Sequence, residues 1–128
     1  MPKITLVFAS LHALLLLGIV IPIVRRRISQ RIGIGTGGDK QLARAIRVQG
    51  NFIEYVPMAL LMLLLLELSG LASAWLWGFG GTLLAARILH AYGLSRSAGT
   101  SPGRGLGAVL TFAVIAVMAV KGLEIGSR

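Results

Sequence analysis

The first apolar run of the chain, Ile4 to Val24, contains one histidine and no other ionisable residue, and it stops at Arg25-Arg26-Arg27. A helix of that length crosses the roughly 30 Å hydrocarbon core of a bilayer. The run is longer than the core of a signal peptide and meets the arginines without a small-residue cleavage site, so it reads as an uncleaved first span. Pro22 is placed to kink its last turn.

The remainder of the sequence repeats the pattern. Apolar periodicity predicts a second helix from about Lys40 to Leu68, its span counted from residue 41, a third from about Leu71 to Leu94, and a fourth from about Arg104 to Leu123. Ser69-Gly70 and Ser101-Pro102-Gly103 supply turns between them. With 55% hydrophobic residues and only four acidic ones in 128, and a mean hydropathy of +0.83, the chain is too apolar for a soluble domain of this length. It reads as one all-α domain, residues 1–128, forming a four-helix transmembrane bundle with spans at about 4–24, 41–68, 71–94 and 104–123.

A formal net charge of +9 would suggest nucleic acid in a soluble protein, but the basic residues stand at the ends of apolar runs. That is the pattern of the positive-inside rule and of attraction to anionic headgroups, and it argues against a nucleic-acid partner. Lys3, Lys121 and Arg128 lie at one face; the other basic residues, from Arg25 through Lys40, Arg44, Arg47, Arg87 and Arg96 to Arg104, lie at or near the opposite one. Both termini are therefore expected outside the cytoplasm, in the inner or plasma membrane of a bacterium. The chain has no cysteine, which removes disulfides, thiolate metal sites and a cysteine nucleophile; any reactive sulfur must come from a substrate. No metal site is expected. The loop from residue 25 to 40 matches the dinucleotide pattern at Gly33, Gly35 and Gly38, but no strand precedes it, so it reads as a flexible connection with Asp39 capping the next helix.

The second helix contains the run Arg44-Ala-Ile-Arg47-Val-Gln-Gly-Asn51-Phe-Ile-Glu54-Tyr55-Val-Pro57. At about 100° per residue, Arg44, Arg47, Asn51, Glu54 and Tyr55 fall within an arc of roughly 100° and make one polar stripe. The uninterrupted apolar stretch that follows, Val56 to Leu66, covers only about 17 Å and cannot cross a bilayer unaided, so part of the stripe lies at membrane depth. Ionisable groups at that depth mark a functional site or a bundle-locking network. Two arginines, an amide, a carboxylate and a phenol suit a zwitterionic ligand, since guanidinium forks bind carboxylates and Glu54 can accept from an ammonium.

This run resembles the signature of the membrane-associated proteins in eicosanoid and glutathione metabolism, the family of microsomal glutathione transferases, leukotriene synthase and microsomal prostaglandin E synthase. The length and the four-run hydropathy are similar too. The resemblance implies a homotrimer of four-helix subunits binding glutathione between neighbours, near the cytoplasmic side. By position, Arg47 and Asn51 match residues that bind glutathione's polar ends, Glu54 the acidic residue at its amine end, and Tyr55 a neighbouring contact. Arg44 matches the motif's other arginine, and Arg87, in Ala86-Arg87 followed by Gly93, a third-helix ligand contact. The sequence departs at His90 and Leu94, where the eicosanoid members carry tyrosines, so His90 stands at a ligand-contact position with a different side chain.

Arg104 stands where relatives place an arginine that stabilises the glutathione thiolate, although the preceding loop differs in length. A guanidinium at the positive end of a helix dipole lowers a thiol's pKa on general grounds; an arginine there also serves as a topology anchor. The resemblance implies a membrane-bound transferase or peroxidase presenting a glutathione thiolate to lipophilic electrophiles or hydroperoxides that enter from the bilayer. A non-catalytic member of the same fold, binding a lipid or thiol or serving as an assembly subunit, is the alternative. A small multidrug transporter fits poorly, because the first helix has no carboxylate.

Other residues suggest packing. His12 and His90 lack metal-ligand partners, which favours packing or a hydrogen bond. Trp75 and Trp77 fit an interfacial aromatic belt. Gly103 and Gly107, with Gly78, Gly80 and Gly81, suggest close helix approach.

Overall fold

Four α-helices follow the four apolar runs: α1 Lys3–Gln30, α2 Lys40–Leu68, α3 Ser73–Arg96 and α4 Pro102–Gly126. The structure is a computed structural model that describes residues 1–96 and 102–128, with the backbone alone at 94–96. Ser101 of the expected turn and the side chains of Leu94 and Arg96 lie outside the described residues. Pro102 and Gly103 already belong to α4, which suits the preset φ and missing N–H of a proline at a helix start.

α1 departs most from the sequence-based expectation of a loop from residue 25. The helix runs through the arginines to Gln30 and closes at Arg31, in the left-handed region at φ 55°. Arginine, serine and glutamine are tolerated in helices, so the arginines end the apolar run without ending the helix. Pro22 consequently lies about two turns inside α1 rather than in its last turn. The connection that follows is organised by side chains. Arg27 Nη1 donates to the carbonyls of Ile32, Gly33 and Gly35 at 3.3, 3.4 and 3.0 Å, and Gly35, Gly37 and Gly38 take positive φ.

Asp39 caps α2 as its position predicts: Oδ1 accepts from the N–H groups of Gln41 and Leu42 at 2.9 and 3.1 Å. Its Oδ2 accepts from Arg26 Nε at 2.5 Å. The Arg26 guanidinium, helped by the two amides, holds the Asp39 carboxyl below the usual carboxylate range.

α2 and α3 form the middle of the bundle. α1 packs against both, α4 packs against both, and α1 and α4 do not touch among the described residues. One core joins Phe8, Ala59, Leu63, Leu66, Leu76, Phe79, Leu83, Val114 and Met118. A smaller one joins Ile19, Val48, Phe52, Val56 and Ala91. Gly107 lets α4 approach α3: a Cβ there would fall 2.5 Å from the Ala86 carbonyl oxygen and 2.7 Å from His90 N. Gly103 faces the Leu89 carbonyl, and Gly80 faces the Phe8 ring, whereas Gly78 and Gly81 meet nothing nearby within the chain. Trp75 and Trp77 are exposed at the start of α3, Trp75 with Lys121 Nζ 5.3 Å from its ring centre.

By length and composition, α1, α2 and α4 qualify to cross a membrane among the described residues. α3 has the length, 24 residues, but its tryptophans and glycines, with Arg87 and His90, dilute its apolarity.

Candidate functional site

The polar residues of α2 point in more than one direction. Asn51 turns inward, where its Oδ1 accepts from Arg87 Nη2 of α3 at 2.7 Å. Arg87 is 1% exposed and carries its guanidinium carbon 5.7 Å from the centre of the Phe52 ring. A guanidinium over an aromatic face is stabilised by the ring quadrupole, which partly offsets the loss of water. Arg87 thus lies inside the bundle, not at its basic face. Its Nε, like His90 Nδ1, is buried without a hydrogen-bond partner among the described residues.

Arg47 and Glu54 face outward and pair with each other, Nη1 to Oε1 at 3.1 Å, with side chains 61% and 44% exposed. At that exposure the pair contributes little to stability. Tyr55 packs edge-on against Phe112 of α4, ring centres 5.2 Å apart, and with Glu54 lies within electrostatic reach of Arg87.

Arg47, Asn51, His90 and Arg104 line a cavity of about 190 Å³. Three helices supply it. Arg104 enters from the first turn of α4, held near α3 by the glycine approach at Gly107, and His90 feels the charges of Arg87, Arg104 and Arg47. The cavity therefore presents cationic forks, an amide and an imidazole, a set that fits carboxylates or a thiolate and repels cations. Its volume is below the roughly 300–1,000 Å³ of ordinary ligand pockets.

The stripe divides at Arg44. That residue lines a different cavity, with Pro22, Arg25, Arg26, Ser29, Gln41 and Ala45, between α1 and α2. Arg47, Asn51, His90 and Arg104 thus meet on one cavity, Arg87 stands behind Asn51, Glu54 is tied to Arg47, and Tyr55 packs on α4.

His12 packs and hydrogen-bonds as its lack of metal-ligand partners suggests: buried, it donates from Nδ1 to the Phe8 carbonyl at 2.7 Å, while its Nε2 is without a partner among the described residues. The His12 ring centre lies 6.1 Å from that of Phe52, and the ring is within electrostatic reach of Arg87, so α1 adds a polar group beside Arg87. One residue, Glu67, gains a role that sequence reasoning missed. Glu67 accepts from the N–H groups of Ile4 and Thr5 at 2.9 and 2.6 Å, capping α1 from the end of α2. A carboxylate closing a leucine run was the available signal, since an anion at that depth needs donors such as a helix N-terminus.

The MAPEG family profile matches residues 5–123. The inner membrane protein YecN of Escherichia coli K12 is 41% identical over 87 residues, 67% of this chain and 66% of that protein. The protein of the same name from the O6:H1 strain CFT073 matches to the same extent. The matched stretch thus spans just under two thirds of these relatives' length. With three helices among the described residues apolar enough to cross a bilayer, and inner membrane proteins as relatives, the chain is an integral membrane protein.

Proposed function

The chain belongs to the MAPEG family, which includes glutathione transferases, and from that premise we propose that it is a membrane-bound, glutathione-dependent transferase or peroxidase acting on lipophilic electrophiles or hydroperoxides. The observation that carries the reading is the convergence of Arg47, Asn51, His90 and Arg104 on one cavity, backed by buried Arg87. Glutathione supplies the nucleophilic sulfur that a chain without cysteine lacks.

In this reading Arg47 takes a glutathione carboxylate, Glu54 its ammonium, and Asn51 the peptide between them, while Arg87 fixes Asn51 from behind. His90 and Tyr55 flank the ligand, and Arg44 is a contact only from the α1 side. Arg104, a guanidinium in the first turn of α4, favours thiolate over thiol. The lipophilic partner enters through the bilayer-facing flanks, where proximity to the held thiolate accelerates the reaction.

A cavity of about 190 Å³ holds only part of a tripeptide, so a neighbouring copy completes the site, in keeping with a homotrimer. The exposed Arg47–Glu54 pair is available to such a neighbour. α3, 24 residues long and about 36 Å at 1.5 Å per residue, serves as the fourth span because its charged group is turned inward. The relatives' description and the grouping of basic residues support an inner-membrane location, with both termini outside the cytoplasm.

A second reading, a non-catalytic member of the fold, is favoured by one observation: Arg47 pairs with Glu54 and Asn51 with Arg87 within the chain. Equilibrium titration of the purified protein with glutathione in detergent, followed by turnover with a lipophilic aryl halide or hydroperoxide, separates the two. The enzyme binds and turns over. Binding without turnover on any such substrate would favour the second reading, and no binding at all would remove glutathione from the account.

A further inference from the structure

The extension of α1 past Val24 builds a feature of which the proposed glutathione reading uses Arg44 alone. Pro22, Arg25, Arg26 and Ser29 fall at i, i+3, i+4 and i+7, one stripe of α1, while Gln41, Arg44 and Ala45 make the matching stripe of α2. The two stripes enclose a cavity of about 510 Å³, within the size range of ordinary ligand pockets. Had α1 ended with its apolar run, Arg25, Arg26 and Ser29 would share no face and the cavity would have one wall.

Its charge is selective. Arg26 is neutralised by Asp39, and Arg27, outside the cavity, is committed to the loop carbonyls. Arg25 and Arg44 make no ion pair among the described residues. Two uncompensated guanidiniums thus face one cavity, with the Ser29 hydroxyl and the Gln41 amide as additional donors. The cavity begins where the apolar run of α1 ends, which is the level of the lipid headgroups. From it the exposed residues Gly18, Leu14 and Leu11, at i−4, i−8 and i−11 from Pro22, lead along the same side of α1 toward the middle of the run.

We infer that this cavity binds the phosphate-bearing headgroup of an anionic phospholipid, Arg25 and Arg44 holding the phosphate and the acyl chains lying along α1. The apolar track is what distinguishes a lipid from a free anion. A soluble phosphate would gain from the guanidiniums alone, whereas a lipid also gains from Pro22 and the exposed face above it. The inference shares Arg44 with the proposed glutathione site and rests otherwise on residues outside it.

The test is native mass spectrometry of the protein released from nanodiscs of phosphatidylcholine containing a minor fraction of phosphatidylglycerol. The parent should retain phosphatidylglycerol in preference to phosphatidylcholine. The double variant Arg25→Gln, Arg44→Gln should lose about 10-fold or more of it, while Arg31→Gln, outside the cavity, should retain it. Equal retention of the two lipids by the parent, or full retention by the double variant, would overturn the proposal. Displacement by inorganic phosphate in slight excess would also overturn it, in favour of a soluble anion. Photocrosslinking of the unmodified protein with a headgroup-labelled phosphatidylglycerol keeps the test independent of variant folding. Label within residues 22–45 supports the site, and label confined to α3 and α4 contradicts it.

Discussion

The two ends of the bundle are built from different materials. At the end holding the termini, Phe8, Leu63, Leu66, Leu76, Leu83 and Met118 make a continuous apolar core, and the charged residue beside it, Glu67, is spent on capping α1. Toward the other end the core shrinks to Ile19, Val48, Phe52, Val56 and Ala91, and around it stand Asn51 with Arg87, His90 and His12, the last three each with a buried nitrogen lacking a partner among the described residues. Apolar packing alone would hold both ends equally well. A chain that keeps a 1%-exposed arginine where leucine would pack, and leaves its Nε unpaired, retains polarity for something other than stability. The contrast makes the first end a clamp and assigns the second to the proposed site.

Substitutions at the two ends should therefore separate stability from binding. The largest effect is expected in the clamp: Leu63→Ala should lower stability to denaturation in detergent by about 2–5 kcal/mol while the folded fraction binds glutathione as the parent does. A loss of binding without a loss of stability would dissolve the distinction. Next, Arg47→Ala and Glu54→Ala should each weaken glutathione binding by about 2 kcal/mol or more and leave the oligomer intact on size exclusion. Unchanged binding in both would make the exposed pair structural. Arg87→Met should reduce binding by about 10-fold, since Asn51 loses its support, with stability equal to or above the parent's because a buried charge is replaced by an apolar side chain of similar volume. Marked destabilisation would assign Arg87 to locking the bundle.

What the sequence revealed, and what it concealed, follows the same division. The helix count, the Asp39 cap and the close approach at Gly103 and Gly107 are local signals: a cap residue before a periodic run, a small residue at helical spacing. The end of α1 was misplaced because three arginines end an apolar run as clearly as a breaker would, yet carry no helix penalty. The α2 stripe was legible as one arc, but an arc of that width spans two grooves, and only the packing of α1 on one side and of α3 and α4 on the other decides that Arg44 and Asn51 part company. His12 comes within reach of Arg87 because α1 lies against α3, a juxtaposition that no spacing within α1 encodes. The Asn51–Arg87 bond, between residues 36 positions apart, is of the same kind.

The smallest expected effect concerns the loop that orders the α1–α2 end. Because Arg26 holds the Asp39 carboxyl below its usual range, the stabilisation it brings is complete above the ordinary aspartate pKa of about 3.9 and is lost as the pH falls through the lower folded-state value. The thermal stability of the parent should thus fall as the pH drops below about 3.9, and the gap between parent and Asp39→Asn should close with it. A gap that stays constant with pH would mean that the capping hydrogen bonds, not the charge, carry the effect.

Whether the cavity at Arg104 holds a thiolate is read from the absorbance of thiolate sulfur during glutathione titration of the purified protein. The parent should develop thiolate absorbance near pH 7 as the site fills. Arg104→Ala should keep glutathione affinity within a few fold, lose that absorbance, and turn over a lipophilic electrophile about 10-fold or more slowly, roughly 1.4 kcal/mol of transition-state stabilisation. Arg31→Ala, an exposed loop arginine, should behave as the parent. A parent that binds glutathione at neutral pH with no thiolate signal, or an Arg104→Ala variant that retains the full signal, would contradict the account.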